Sequence, residues 1–274
     1  MKTIIVPFDF STYSLAALKT AQKISNKSGS KIIAVTVIPS DLDYENLTEE
    51  AKKKFTEIAE EKEEAQSILP KYIDEVAPSK SEIEFVVKVG TPSERILKAI
   101  QEYEAELVVM GAHGKGFAEG KFIGSTLQKV MRNAACPVLG VKEALDGNDL
   151  RKVAFASTFN EGSKKAFETL KSLIKPFKCS VHLLFVNTPE HFTASDIIKT
   201  GMDSFQKGHE EIVFHQHVYN ANEVESGLIN FSQEHGIKWL VVVSGHHETS
   251  PSYQVGVTET VLFKSDLGVL SVKI

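Results

Sequence analysis

The segment Met110-Gly111-Ala112-His113-Gly114-Lys115-Gly116, followed after a polar stretch by Phe122-Ile123-Gly124-Ser125-Thr126, has the residue types and spacing to hold an anion. Gly111, Gly114 and Gly124 lie between an apolar run ending at Met110 and an amphipathic run from Leu127 to Asn133, so the order reads strand, glycine loop, helix. Glycine lets backbone N–H groups approach a phosphate, and a helix opening at Ser125 aims unpaired N–H groups and its dipole at the same charge. The competing reading is a turn that needs positive φ. A P-loop would carry Lys and then Ser or Thr straight after its last glycine, and a dinucleotide fingerprint would read G-x-G-x-x-G; neither is present. The spacing is G-x2-G-x9-G-S, from Gly111 to Ser125.

The elements that must carry this loop are legible as apolar strand runs alternating with helix-period stretches. Residues 3–9, TIIVPFD, form a strand ending in a carboxylate, and Ser11 caps a helix bearing Leu15, Leu18, Ala21 and Ile24 on one face. Residues 46–76 hold a second helix that Pro70 kinks or splits. Thr91-Pro92-Ser93-Glu94 is a capping box with proline at the first helical position. Alternating β and α with continuous apolar strands predicts an α/β fold with open parallel sheets covered on both faces. Such sheets bind ligands beyond the strand carboxyl ends, where strand order reverses. Asp9, Val37 and Gly111 all lie at or near such ends.

The sequence also repeats. Residues 3–9 lie over 152–158, and Val37 lies over Val186. A smaller offset lays residues 107–110 over 240–243 and 137–142 over 268–273, so the fold is expected twice. The expected domains are 1–142 and 151–274, joined by the polar, turn-rich linker 143–150.

On the glycine spacing, Asp9 and Val37, the first domain resembles the universal stress protein family, whose ATP-binding members carry this motif after the fourth strand. The resemblance implies two tandem Rossmann-like domains of the adenine nucleotide alpha hydrolase type. It further implies that ATP or a related adenine nucleotide, with or without Mg2+, is bound by Asp9, Val37, Met110, Gly111, Gly114, Gly124, Ser125 and Thr126. Asp9 would accept from the ribose hydroxyls; read alone, it is equally a helix cap beside Ser11. Val37 would contact adenine; read alone, it is core. Lys115 and Lys121 either neutralise phosphate or are solvated, and His113 is either a ligand contact or an exposed loop histidine.

In the repeat, Asp9 falls on Thr158, Gly111 on Ser244 and Gly114 on His247, and Gly256-Val257-Thr258 matches Gly124-Ser125-Thr126 only across a gap. The second domain is therefore expected to lack this phosphate chemistry. Eight of its residues are histidines, including His215 and His217 on one strand face and the pair His246-His247, but they show no complete metal-ligand spacing, so no metal site is assigned. Cys136 and Cys179 read as small core residues.

The net charge of -5 argues against general nucleic-acid binding, and no apolar run is long enough to span a bilayer. Met1-Lys2-Thr3 does not begin a secretory leader, so a cytoplasmic location is expected. Together these readings predict a nucleotide-binding regulatory or stress-response protein with no assigned catalytic residue, pairing through its last strands within the chain or as a homodimer. Two alternatives stay open: slow ATP hydrolysis or phosphoryl transfer, and a protein that binds a non-nucleotide ligand, a metal or a partner through the loop from Ser244 to Gln254.

Overall fold

The computed structural model describes residues 2–76, 82–116, 122–244 and 251–273. It divides into two compact units, Met1–Val138 and Leu139–Ile274.

The first unit runs β1 (Thr3–Pro7), α1 (Thr12–Ser28), β2 (Lys31–Ile38), a 3-10 turn at Tyr44–Asn46, α2 (Glu49–Lys52), α3 (Thr56–Val76), β3 (Ile83–Val89), α4 (Pro92–Glu102), β4 (Leu107–Gly111) and α5 (Ser125–Asn133), with β5 (Val138–Val141) at the division. Its strands pair in parallel in the order β3-β2-β1-β4, with Ile4 opposite both Ile32 and Leu107. Order therefore reverses between β1 and β4. Ile4, Ile5, Ile32, Ile33, Val108 and Val109 are all buried, as continuous apolar strands covered on both faces require.

Helix ends follow local chemistry. The Ser11 hydroxyl accepts the Ser14 N–H to open α1, and Gly29, at φ 71°, closes it with its N–H donating to the Ser25 carbonyl. Pro92 stands at the start of α4 as expected, but Thr91 makes no side-chain cap bond. The expected split at Pro70 is absent. Residues 56–76 remain one helix, and the break falls at residues 53–55, after the short α2 capped by the Thr48 hydroxyl.

The second unit runs β6 (Lys152–Ala156), α6 (Glu161–Ile174), β7 (Ser180–Asn187), α7 (Ser195–Gln206), β8 (Phe214–Asn220), α8 (Val224–Glu234), β9 (Trp239–Ser244), α9 (Pro251–Lys264) and β10 (Gly268–Lys273). Its strands are parallel in the order β10-β9-β6-β7-β8. Residues 143–150 are structured rather than loose. The Asp146 carboxylate accepts the N–H groups of Asn148 and Asp149, and Leu145 and Leu150 are buried.

Backbone geometry matches the two units residue for residue at one corner. Phe10 and Phe159, 149 positions apart, are both non-glycine residues in the left-handed region, at φ 63° and 55°. Each precedes the cap of the next helix, Ser11 for α1 and Asn160 for α6. Strand register corrects the second part of the sequence alignment. Ile4 stands opposite Leu107, and its counterpart Val153 stands opposite Trp239 rather than Leu240. That one-residue change puts Val243, not Ser244, at the position of Gly111. Past this loop the other offset holds, since the Ala134 N–H donates to the Val130 carbonyl as the Ser265 N–H does to the Val261 carbonyl, so Gly256 falls on Ser125 and the gap before Gly256-Val257-Thr258 remains.

Candidate functional site

Beyond the carboxyl ends of β1, β2 and β4, where order reverses, the first unit holds a cavity of about 930 Å3, within the range usual for small-molecule sites. It is lined by every site residue expected from the sequence: Asp9, Val37, Met110, Gly111, Gly114, Gly124, Ser125 and Thr126. They come from separate elements, and each is placed by identifiable local bonds.

Asp9 is set by its neighbours in the chain. The Phe8 N–H donates to the Val35 carbonyl and the Phe8 carbonyl accepts the Thr36 hydroxyl, so the chain leaves β1 tied to β2. Phe10 then takes its left-handed φ, which turns the chain sharply into α1. Asp9 Oδ1 accepts the Ser11 N–H at 3.1 Å and the Ser11 hydroxyl at 2.6 Å, while Oδ2 accepts the Lys115 N–H at 2.7 Å. Ser11, not Asp9, caps the helix; Asp9 holds Ser11 in place and lines the cavity.

The glycines do different work from one another. A Cβ on Gly114 would lie 2.8 Å from Asp9 Oδ2, so only glycine fits beneath this carboxylate. A Cβ on Gly111 would lie 2.7 Å from the Tyr13 carbonyl carbon; that glycine answers to the packing of α1 on β4 rather than to phosphate approach. Gly124 is the N-cap of α5, with φ -60° and no side chain to cap the helix, and its N–H donates to the Ala112 carbonyl, which folds the loop back. Positive φ is required at none of these three. The first turn of α5, whose N-cap is a glycine without a side chain to bond it, therefore lines the cavity.

His113 is buried and packs edge-on against Tyr13 at 4.9 Å, so the exposed-loop reading is corrected. Lys115 is exposed and contributes its backbone N–H; Lys121 lies outside the described residues. Sequence reading missed the wall supplied by α3. Ala65, Ile68 and Tyr72 line the cavity with Glu61 and Glu64. Phe8, Phe10 and Tyr72 form a three-ring cluster with centroids 5.2 to 5.5 Å apart. The signal that could have drawn attention to Phe10 was the repeat itself, since the next aligned pair after Asp9 and Thr158 is Phe10 and Phe159.

The corresponding corner of the second unit is filled. Phe159 packs against Phe205 of α7 at 5.5 Å, and Phe155 against Phe205 at 5.3 Å. Asn187, at the end of β7, pins the following loop by exchanging two hydrogen bonds with the Thr193 backbone. α9 begins at Pro251, so Gly256 lies inside a helix, whereas Gly124 stands at the N-cap of α5. His246 and His247, and the loop to Ser250, lie outside the described residues.

Comparison with known proteins agrees with this architecture. A universal stress protein of Thermus aquaticus is 33% identical over 143 residues, covering 52% of this chain and 98% of its own length. A universal stress protein of Methanocaldococcus jannaschii, MJ0531, is 31% identical over 150 residues, covering 52% of this chain and 82% of its own. The fold of the whole chain is similar to a crystal structure of a universal stress protein from Archaeoglobus fulgidus, with a TM-score of 0.77, 17% identity, and coverage of 99% and 98% of the two chains. The model of the universal stress protein family matches residues 1–142, the stretch that carries the corner at Asp9, the glycine loop and the helix end at Ser125. This chain belongs to the universal stress protein family.

Proposed function

We propose that the first unit binds one adenine nucleotide, ATP or a close relative, and that the protein serves a regulatory role in the stress response of the cytoplasm. The observation that carries this reading is the meeting of Asp9, Gly114 and the open first turn of α5 on one cavity. The donor set suits the ligand. Asp9 Oδ2 takes one N–H bond and keeps acceptor capacity for a ribose hydroxyl. The helix end of α5 suits phosphate, and Val37 and Met110 offer apolar surface to a base. The second unit, with its filled corner and its longer helix, is proposed to bind no nucleotide in this manner.

Calorimetric titration of the full chain with ATP tests the proposal. One site per chain is expected, weakened at least about tenfold in Asp9→Ala and Gly114→Ala and unchanged in Thr158→Ala. Undiminished binding in the first two variants, or two equal sites, would overturn it.

A second reading, slow hydrolysis, is favoured by one observation: Glu61 and Glu64 line the same cavity as Asp9. Carboxylates so placed could orient water or a nucleotide-borne Mg2+. Steady-state phosphate release separates the two. Turnover that disappears in Glu61→Gln with Glu64→Gln while ATP binding persists would make the protein an ATPase.

A further inference from the structure

The second unit contains a cluster of imidazoles that no part of the nucleotide reading uses. His182 on β7 is buried, stands directly opposite His215 of β8 in the strand register, and its ring centroid lies 4.7 Å from that of His215. His217, two residues along on the same face, stacks almost parallel to His182 at 5.0 Å, with His182 Nδ1 3.0 Å from His217 Nε2. His235, just beyond α8, lies 5.0 Å from His217 and 6.2 Å from His182. Phe231 of α8 packs among them, stacked on His235 at 4.1 Å and edge-on to His217 at 4.8 Å. Four imidazoles and one phenyl ring thus join β7, β8 and α8.

The surrounding charges do not compensate a protonated cluster. From β6, Lys152 donates its ammonium to the His235 carbonyl at 3.1 Å, adding positive charge. On α8, the Glu234 carboxylate accepts the Tyr219 hydroxyl at 2.7 Å, and Glu225 sits in the opposite, first turn. Glu259 of α9, which packs on α8, is buried. α7 covers the other face of β8, where Asp203 accepts from Gln216. Among the described residues no group of three or more His, Cys, Asp or Glu is arranged to hold a metal ion.

We propose that these histidines form an acid-triggered release for the outer edge of the second unit: neutral, they fasten β8 and α8 onto β7, and on protonation they drive them apart. The contact between His182 and His217 needs a lone pair on one of the facing nitrogens; once both carry protons, donor meets donor. Burial, and then the neighbouring histidines, push the pKa of His182 down to about 4, and the same causes lower that of His217. An opened edge would protonate near the ordinary histidine value of about 6.5. Acid between these two limits therefore favours the open form.

Hydrogen exchange of the intact chain, read by mass spectrometry at pH 7.5 and pH 5.0 with labelling times scaled for chemical exchange, tests the release. Peptides covering 180–187, 214–220 and 224–235 are expected to lose about tenfold in protection at pH 5.0 relative to peptides covering 31–38 and 83–89. The double variant His215→Gln with His217→Gln is expected to remove that difference. Should it fail to fold, imidazole proton NMR of the unaltered chain decides. His182 and His217 staying neutral below pH 5.5 and titrating together with the loss of protection supports the release. Independent titration near pH 6.5 with protection retained overturns it, as does a stoichiometric Zn2+ complex at pH 7 that His217→Gln abolishes, which would make the cluster a metal site.

Discussion

Asp9 Oδ2 accepts the backbone N–H of Lys115 at 2.7 Å, joining residues 106 positions apart in sequence. The bond ties the chain leaving β1 to the loop leaving β4, across the gap where strand order reverses. In the proposed reading, a ribose-binding carboxylate and a phosphate-binding loop hold one another, so the two halves of the site respond together.

Asp9→Ala removes the acceptor for Lys115 and for both Ser11 donors. Nucleotide affinity is expected to fall by roughly 10- to 100-fold, the scale of a lost charge-assisted hydrogen bond. The same variant should expose the chain near Lys115 to limited proteolysis, because its anchor is gone. Calorimetry and a proteolysis time course read the two effects. Weakened binding with an unaltered cleavage pattern would break the proposed coupling.

Gly114 and Gly124 are equivalent in sequence motif and unequal in space. A Cβ on Gly114 would meet Asp9 Oδ2 at 2.8 Å, whereas on Gly124 its nearest neighbour is the Ala112 carbonyl oxygen at 3.7 Å. Gly114→Ala is expected to weaken ATP binding more than about tenfold, and Gly124→Ala by only a few-fold, with a stability loss of a few tenths of a kcal/mol from the poorer cap. Titration of both variants beside the unaltered chain checks the order. Equal losses would show that the motif acts through something other than space.

Gly111→Ala should act on folding. Its Cβ would lie 2.7 to 2.9 Å from backbone and Cβ atoms of Tyr13, so α1 must move from β4, at a cost of about 1–3 kcal/mol. Urea denaturation is expected to show this loss, and saturating ATP should recover part of it, since ligand binding to the folded form stabilises by mass action.

Stability of the second unit should depend on pH through His182. Its folded pKa, pushed down to about 4 by burial and by His215 and His217, lies below the unfolded value near 6.5. The unfolded chain thus binds more protons in this window. The contribution is complete above about pH 6.5 and is lost as pH falls towards 4; for this single group it is roughly 2 kcal/mol after allowance for solvent screening. Denaturation midpoints between pH 7.5 and 4.5 read it, and His182→Leu should flatten the slope.

Much of this site was legible because glycine spacing, strand-end carboxylates and apolar runs are local signals. Asp9, Val37 and Gly111 could be referred to one crevice from the β-α order alone. What stayed hidden depended on tertiary contact. Ala65, Ile68 and Tyr72 show the same periodicity whether they face a core or a cavity, and His113 lies in a polar loop yet is buried against Tyr13. Pro70 reads as a kink or a split, and α3 continues through it without a split. The one-residue error in aligning the fourth strands arose because runs of Leu and Val match one another in several registers; the pairing of Val153 with Trp239 removed it.

The early start of α9 at Pro251 has a wider meaning. In the first unit, residues 122–124 are not helical, and the helix from Ser125 brings its opening turn to the cavity. Extending the corresponding helix backwards directs the amides of that turn to carbonyls of the preceding turn. Where the helix begins thus determines whether this part of the chain borders a receptor for negative charge or a closed stretch of backbone.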